Sequence, residues 1–593
     1  MGRQLLRAGR FRAVGVLSNR FDAHGREAAA RPVGLWTESI NPPSALRESS
    51  VRRFALPLLA GLAVATLLAG CTSTPAATSS TPVAGGKLVY ASGDAEPTCL
   101  DPHVGGNYPQ ALVATQYLES LVSKDTDGEV IPWLATEWKV SDHALSWTFT
   151  LKPGVTFTDG TPFDAAAVAA NVAHIQNPAT GSSTGYLALQ KVAKVEALDA
   201  QTARFDLSEP DSALLDSLSQ PWLAMESPTA IARPQADNCV SPVGTGPFLV
   251  TQWNRQQSII LTRNDNYSSP PADAGHTGPA YLDEIDWTFL PDSTSRYAAL
   301  QTSTVDMIDN VQPDILSQAA SNSSVVAIDA PRPGASNRIE LNSSKAPFDD
   351  AKVREAFIRS ADVDSAVKSL FFGTATRSYS ALSSVEKDGI SEPDLFTYDQ
   401  AAAATLLDEA GWTGRDADGY RTKDGKTLEL AFPVSTNQSI PAEQSLFEQL
   451  QATAKQVGFK VDLAPLDLSS WYAALGSNSY DLVSAPYTKV GPDVLRILFD
   501  SSGTVPAPSG YFANHSQVKD PALDALLTRA TETTDAAEAA TLYAQAQKIV
   551  LEGFYILPLY DQQNHYLLRS AVHGVRAMPT VSTPTLYDAW VQR

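Results

Sequence analysis

The chain has 593 residues, 43% of them hydrophobic and 18% charged, and carries a formal net charge of −21. That length exceeds the roughly 250–300 residues at which a single core stops growing, so two or three domains are expected. So acidic a balance argues against nucleic-acid binding, which needs a basic stripe.

In chain order, the first feature is an export signal. Arg52 and Arg53 precede an apolar run over 54–68, which closes on Ala69, Gly70 and Cys71. A basic start, a short apolar segment and small residues at the cut form a secretory signal. The run, at about fifteen residues, falls short of the roughly twenty that span a bilayer. The string Leu68, Ala69, Gly70, Cys71 resembles the lipobox of bacterial lipoproteins, which implies lipidation of Cys71 as the first mature residue. A chance cysteine behind an ordinary signal is the alternative. Apart from Cys71 and Val83, residues 71–86 are Ser, Thr, Pro, Ala and Gly up to the first strand and read as a flexible tether. Residues 1–50 hold eight Arg, no Lys and no apolar period, and are expected to be upstream sequence, with 51–70 as the signal peptide and Val51 as the start. Residues 1–70 carry ten Arg against four acids, a surplus of +6, so the remainder of a chain at −21 carries −27. No other apolar segment approaches spanning length. An acidic, extracytoplasmic body on a lipid leash is expected.

After Cys71 only Cys99 and Cys239 remain, an even pair in an oxidising compartment. A disulfide between them would close a loop of about 140 residues and contribute a few kcal/mol on the chain-entropy model. Two separate buried thiols are the alternative.

Beyond the tether, strands and amphipathic helices alternate. A strand is predicted over 87–91. Over 146–151 strict alternation puts Trp147, Phe149 and Leu151 on one face. Asp159-Gly160 reads as the turn of a hairpin between 155–158 and 161–163. Asp164 caps a predicted helix over 165–175, and Asp349 or Asp350 one over 351–361. Further helices are expected over 397–412, stopped by Gly411, over 442–457, from Asp520-Pro521 onward, and over 536–551. Strands are expected over 459–463 and 555–560. Asp493 reads as the cap of a helix over 494–499. The fold class is α/β.

Five stretches now carry a family resemblance. They are Cys99-Leu-Asp-Pro102 followed by 117–122; Pro132-Trp-Leu-Ala-Thr-Glu-Trp138 leading into 147–163; Pro242-Val-Gly-Thr-Gly-Pro-Phe248 with Arg263-Asn-Asp-Asn-Tyr267; 347–357; and 401–412. In this order they resemble the extracellular solute-binding proteins of family 5, the receptors of peptide- and nickel-type ABC importers. The resemblance implies a two-lobed periplasmic-binding-protein-like clamp of type II with an extra inserted subdomain. It places lobe I at 87–120, 228–327 and 560–593, the inserted subdomain at 121–227, and lobe II at 328–559. It also implies an ABC permease as partner, a peptide or peptide-like solute as ligand, and a monomer that binds no nucleic acid.

Ligand candidates are the aromatic and polar residues of Gly-rich or irregular segments: Asn107 and Tyr108 in a loop after Gly105-Gly106, Tyr186 in a comparable loop, Trp471 with its neighbour Tyr472, and Tyr487, Thr488 and Lys489. Core packing is the alternative for each aromatic. Peptide-binding relatives place an acid near 484–493 against the ligand's ammonium. Here no carboxylate stands between Tyr487 and Pro492, and Lys489, if it faces the cleft, suits an anionic group. A ligand other than a free-amine peptide is therefore expected. The bend at 243–248 reads as structural, because a phosphate cradle needs a following helix.

No zinc-protease, serine-elbow or P-loop motif occurs, the eight His are scattered singly, and no cofactor or metal is expected. A lone His515 reads as a surface or hinge residue. The function expected is capture of a small solute for an importer, without catalysis. The alternatives are a sensing receptor without transport and, more distantly, a secreted hydrolase.

Overall fold

The structure, a computed structural model, describes residues 81–592 other than 485, 486 and 488. Residues 1–50, the expected signal peptide, Cys71 with the start of the tether, and Thr488 lie outside the described residues.

A seven-stranded sheet anchors the first lobe. Its order is Val325–Pro331, Gln563–Arg569, Met307–Ile308, Lys87–Ser92, Glu284–Phe289, Ser258–Arg263 and Phe248–Asn254. Lys87–Ser92 lies in the middle, parallel to both neighbours, and buries Leu88, Tyr90 and Ala91. A strand covered on both faces needs such a near-continuous apolar run. The Tyr90 ring packs against Trp287 with centroids 4.0 Å apart.

The inserted region forms an antiparallel sheet ordered Ala135–Val140, Ser146–Leu151, Thr202–Leu207 and Val192–Asp199. Trp147, Phe149 and Leu151 are buried together, as their alternation predicts, and Val168, Val172 and Ile175 of helix Ala165–Gln176 complete that core. Asp164 accepts the Ala167 N–H at 2.9 Å and starts that helix. The hairpin expected around Asp159-Gly160 shrinks to a single bridge, Thr156 to Pro162. Pro162 has no N–H to extend a ladder.

The second lobe carries a sheet ordered Thr376–Arg377, Ile556–Asp561, Asn337–Leu341 and Leu482–Ser484, and a parallel pair, Glu429–Ser435 with Lys460–Leu466. Asp350 and Asp520 cap their helices as the sequence predicts, and Asp399 and Asp535, not singled out there, do the same, each accepting a first-turn N–H. Each such cap is worth about 0.5–2 kcal/mol. Gly458, at φ 111°, ends helix Pro441–Val457 in the left-handed region.

The chain passes between the two large sheets twice. Val325–Pro331 pairs along its length with Gln563–Arg569, while Ile556–Asp561 belongs to the second sheet. The passages are therefore residues 332–336 and Gln562, a few residues beyond the seams at 327 and 560 that the resemblance implied. The inserted region also touches the second lobe away from these passages. Ser212 N–H donates to the Thr531 carbonyl at 2.9 Å, and Lys191 Nζ donates to Thr531 Oγ1 at 2.8 Å.

Two details explain sequence features. Cys99 and Cys239 are disulfide-bonded with Cα atoms 4.4 Å apart. In the bend at 243–248, a Cβ on Gly244 would lie 1.9 Å from the Tyr117 carbonyl oxygen, and one on Gly246 2.6 Å from its carbon. Close backbone approach, rather than a special dihedral, demands these glycines.

Candidate functional site

Two cavities of about 510 and 560 Å³ lie between the lobes and share Asp94, Ala95, Tyr108, Arg332, Asn437 and Gln438, so they form one cleft. Both fall within the roughly 300–1,000 Å³ usual for ligand pockets.

The first lobe supplies the floor. Asp94 follows the central strand, and its N–H donates to Ser92 Oγ at 3.2 Å. Below it, buried Asp309 accepts hydrogen bonds from Tyr90 Oη at 2.7 Å, Ser92 Oγ at 2.7 Å and Gly93 N–H at 2.6 Å. A Cβ on Gly93 would lie 2.3 Å from the Arg296 guanidinium carbon, so any larger residue here would displace that side chain. Burial and then the charge of Asp309 push the Asp94 carboxyl up to about 7, against the pull of Arg332 and Arg296.

Asn107 and Tyr108 stand at the wall, though not in a loop. Asn107 is the N-cap of helix Tyr108–Ala114 and forms a reciprocal capping box with Gln110. Its carbonyl also accepts the Trp222 indole N–H at 3.1 Å. The Arg332 guanidinium lies 4.2 Å from the Tyr108 ring centroid, within cation–π range. Tyr108 Oη accepts a hydrogen bond from Asn564.

The second lobe supplies Asn437, Gln438 and Glu443. Glu443 sits in the first turn of helix Pro441–Val457, 3% exposed, and accepts Asn337 Nδ2 at 2.7 Å. Burial lifts its carboxyl to about 7, against the hydrogen bonds from Asn337, Ser439 and Ser484 and, more weakly, the charge of Arg332. One guanidinium thus faces two carboxyls that ionise near neutrality.

The remaining sequence candidates separate. Tyr487 lines the cleft, and its buried hydroxyl has no hydrogen-bond partner among the described residues. Tyr186 belongs to the short helix Thr184–Ala188 rather than to a loop, and packs half-buried against the second-lobe core. Trp471 is buried in a cluster with Leu475, Tyr480 and Phe512, while its neighbour Tyr472 reaches the cleft. Helix Leu468–Gly476 turns only one of these adjacent rings outward. Lys489 does not present its ammonium to the cleft: it is 1% exposed and bonded to Asp493 at 2.8 Å. Asp493 heads helix Val494–Phe499 without a side-chain cap bond, its carboxylate being taken by Lys489 and Arg496. His515 is fully buried, 3.7 Å from Glu340, and is not a surface residue.

Asp94, Arg332 and Glu443 were missed. Each is one charged residue among many in an acidic chain, and only the fold reveals its burial. The available signals were position: Asp94 follows the central strand, and Arg332 follows the crossing strand.

Residues 129–505 match the family profile of bacterial extracellular solute-binding proteins, family 5 Middle. The chain is a family 5 extracellular solute-binding protein. Proteins of this family are the substrate-binding components of ABC importers. The family 5 chain is 29% identical over 471 residues to the glutathione-binding protein GsiB of Salmonella paratyphi A, covering 78% of this chain and 86% of that one. Its fold is similar to the periplasmic binding protein DppA of Helicobacter pylori in complex with the peptide STSA, with TM-score 0.73, 23% identity, and coverage of 86% and 99%. It is also similar to NikA of Brucella suis in complex with Fe(III)-EDTA, with TM-score 0.71, 25% identity, and coverage of 86% and 100%.

Proposed function

We propose that this family 5 protein captures a short zwitterionic peptide between its lobes and delivers it to an ABC permease, held at the outer face of the cytoplasmic membrane by a lipid on Cys71. The observation that carries the peptide reading is the set of Arg332, Asp94 and Glu443 around one cleft. Arg332 suits the ligand's carboxylate, since a guanidinium pairs with it bidentately. Asp94 and Glu443 suit its ammonium, whose arrival favours their ionised forms. Tyr108, Tyr472 and Tyr487 offer flat apolar walls for side chains. The glutathione-binding name of the relatives supports a small peptide with free charged groups.

The acid that the sequence lacks between Tyr487 and Pro492 is thus supplied from elsewhere, and a free amine is the favoured ligand group. Lobe I, the inserted subdomain and lobe II follow the order the resemblance implies, with the lobe boundaries moved to hinges at 332–336 and Gln562, and the protein acts as a monomer. Mass spectrometry of whatever ligand survives native purification tests the reading. A short peptide is expected; a sugar or metal chelate would contradict it.

A further inference from the structure

Next to the Cys99–Cys239 disulfide, Asp101, His103 and His174 bring a carboxylate oxygen and two imidazole nitrogens within 4.8 Å of one another. Asp101 and His103 lie in the segment that leaves the disulfide, and His174 occupies the last turn of helix Ala165–Gln176. The first two side chains are fully buried, and that of His174 is 15% exposed. His103 Nδ1 lies 3.6 Å from Asp101 Oδ1, and His174 Nε2 lies 3.1 Å from Asp101 Oδ2.

The outer nitrogen of each ring is engaged. His103 Nε2 is 2.8 Å from the Ala224 carbonyl, and His174 Nδ1 is 3.4 Å from Thr180 Oγ1. Metal-binding histidines are held this way, with the far N–H given to a carbonyl or hydroxyl and the near nitrogen left as ligand. A second carboxylate stands beside the first: Asn238 Nδ2 donates to Asp101 Oδ2 at 3.1 Å and to Glu226 Oε2 at 2.7 Å. Two atoms in this buried cluster lack hydrogen-bond partners, His103 Nδ1 and Glu226 Oε1. An unmet buried polar atom costs about 1–3 kcal/mol, so two in one place call for a common partner.

We propose that Asp101, His103 and His174, with Glu226 beside Asp101, form a structural site for a divalent transition-metal ion, of which zinc fits best. Two imidazoles and a carboxylate are a nitrogen and oxygen set that suits zinc, and the Glu226 carboxylate is near enough to Asp101 to supply the fourth donor. Calcium and magnesium need six or more oxygens. The partly exposed His174 ring gives the ion a route from solvent. From His103 the chain runs directly to Gly106 and Asn107 at the cleft wall, so the ion would brace that wall against helix Ala165–Gln176. The site does not depend on the identity of the cleft ligand.

The full chain, stripped with a chelator and desalted after exposure to Zn²⁺ alone, tests this by metal analysis and thermal unfolding. One tightly held zinc per chain and a raised unfolding midpoint are expected, with no effect of Ca²⁺ or Mg²⁺. His174→Ala, at the exposed edge, and Glu226→Gln should each weaken zinc retention by at least about tenfold. Cobalt in place of zinc should give visible absorption of four-coordinate type in the parent chain only. Failure of the parent chain to retain zinc would overturn the proposal. So would full retention by both variants, which would put the metal on other residues.

Discussion

The Lys489 ammonium lies 2.8 Å from the Asp493 carboxylate, with the two side chains 1% and 3% exposed. Arg496 holds the same carboxylate through Nε and Nη2, each at 2.9 Å. Burial alone would raise the Asp493 carboxyl, but Arg496 and then Lys489 hold it far below the usual carboxylate range. Removing the anion leaves two buried cations, so Asp493→Asn should cost about 3–5 kcal/mol in urea unfolding. Lys489→Met leaves the Asp493–Arg496 pair in place, and should cost less and leave ligand affinity unchanged. Because the folded pKa is depressed, this contribution is present above the unfolded value near 4 and disappears as pH falls below it. Asp493→Asn should therefore flatten the acid limb of the stability curve.

The Tyr487 hydroxyl offers a test with two opposite signs. It is buried at the cleft without a partner, so Tyr487→Phe should leave the ligand-free protein as stable or slightly more so. If the bound peptide supplies the missing partner, affinity falls by about 1 kcal/mol, roughly fivefold. Thermal unfolding and calorimetry of the same variant read the two effects separately.

The fold was largely legible because its signals are local. Asp164, Asp350 and Asp520 each announced a helix start, and the alternation of Trp147, Phe149 and Leu151 announced a buried strand face. The site was legible only in part. Asn107, Tyr108 and Tyr487 reach the cleft, but Trp471 and Tyr472 are adjacent aromatics, and helix rotation alone decides which ring turns outward. Lys489 was misread because its partner is four residues away in a turn that no sequence period announces. His103 and His174 meet only through tertiary structure.

The cleft carboxyls set a pH dependence. Asp94 and Glu443 both ionise at about 7, raised by burial above values near 4 in the unfolded chain. Between pH 4 and 7 the folded state binds more protons than the unfolded state, so these groups stabilise the ligand-free protein as pH falls. Peptide binding has the opposite sign. An ammonium requires ionised carboxylates, so affinity should fall below pH 7, by up to about tenfold per unit for each carboxyl that must ionise. Calorimetry from pH 8 to pH 5 checks this, and Asp94→Asn should shallow the slope.

Glu119 ties the inserted region to the first lobe. It accepts hydrogen bonds from Trp133 Nε1 at 3.0 Å, Tyr267 Oη at 2.7 Å, and Thr245 Oγ1 and Ser269 Oγ at 2.6 Å each. Glu119→Ala leaves these buried donors without their common acceptor. A loss of about 3 kcal/mol or more is expected, read as a lowered unfolding midpoint. Glu119→Gln, which keeps one acceptor oxygen, should lose less.

In the proposed complex the cleft reads a free amine and a carboxylate together. Calorimetric titration of the full chain with matched short peptides, glutathione among them, with free and with acetylated N-termini, tests it most directly. The free-amine peptides should bind at least about tenfold more tightly, a difference of about 1.4 kcal/mol. Equal affinity, preference for the acetylated forms, or no binding by any peptide would contradict the account.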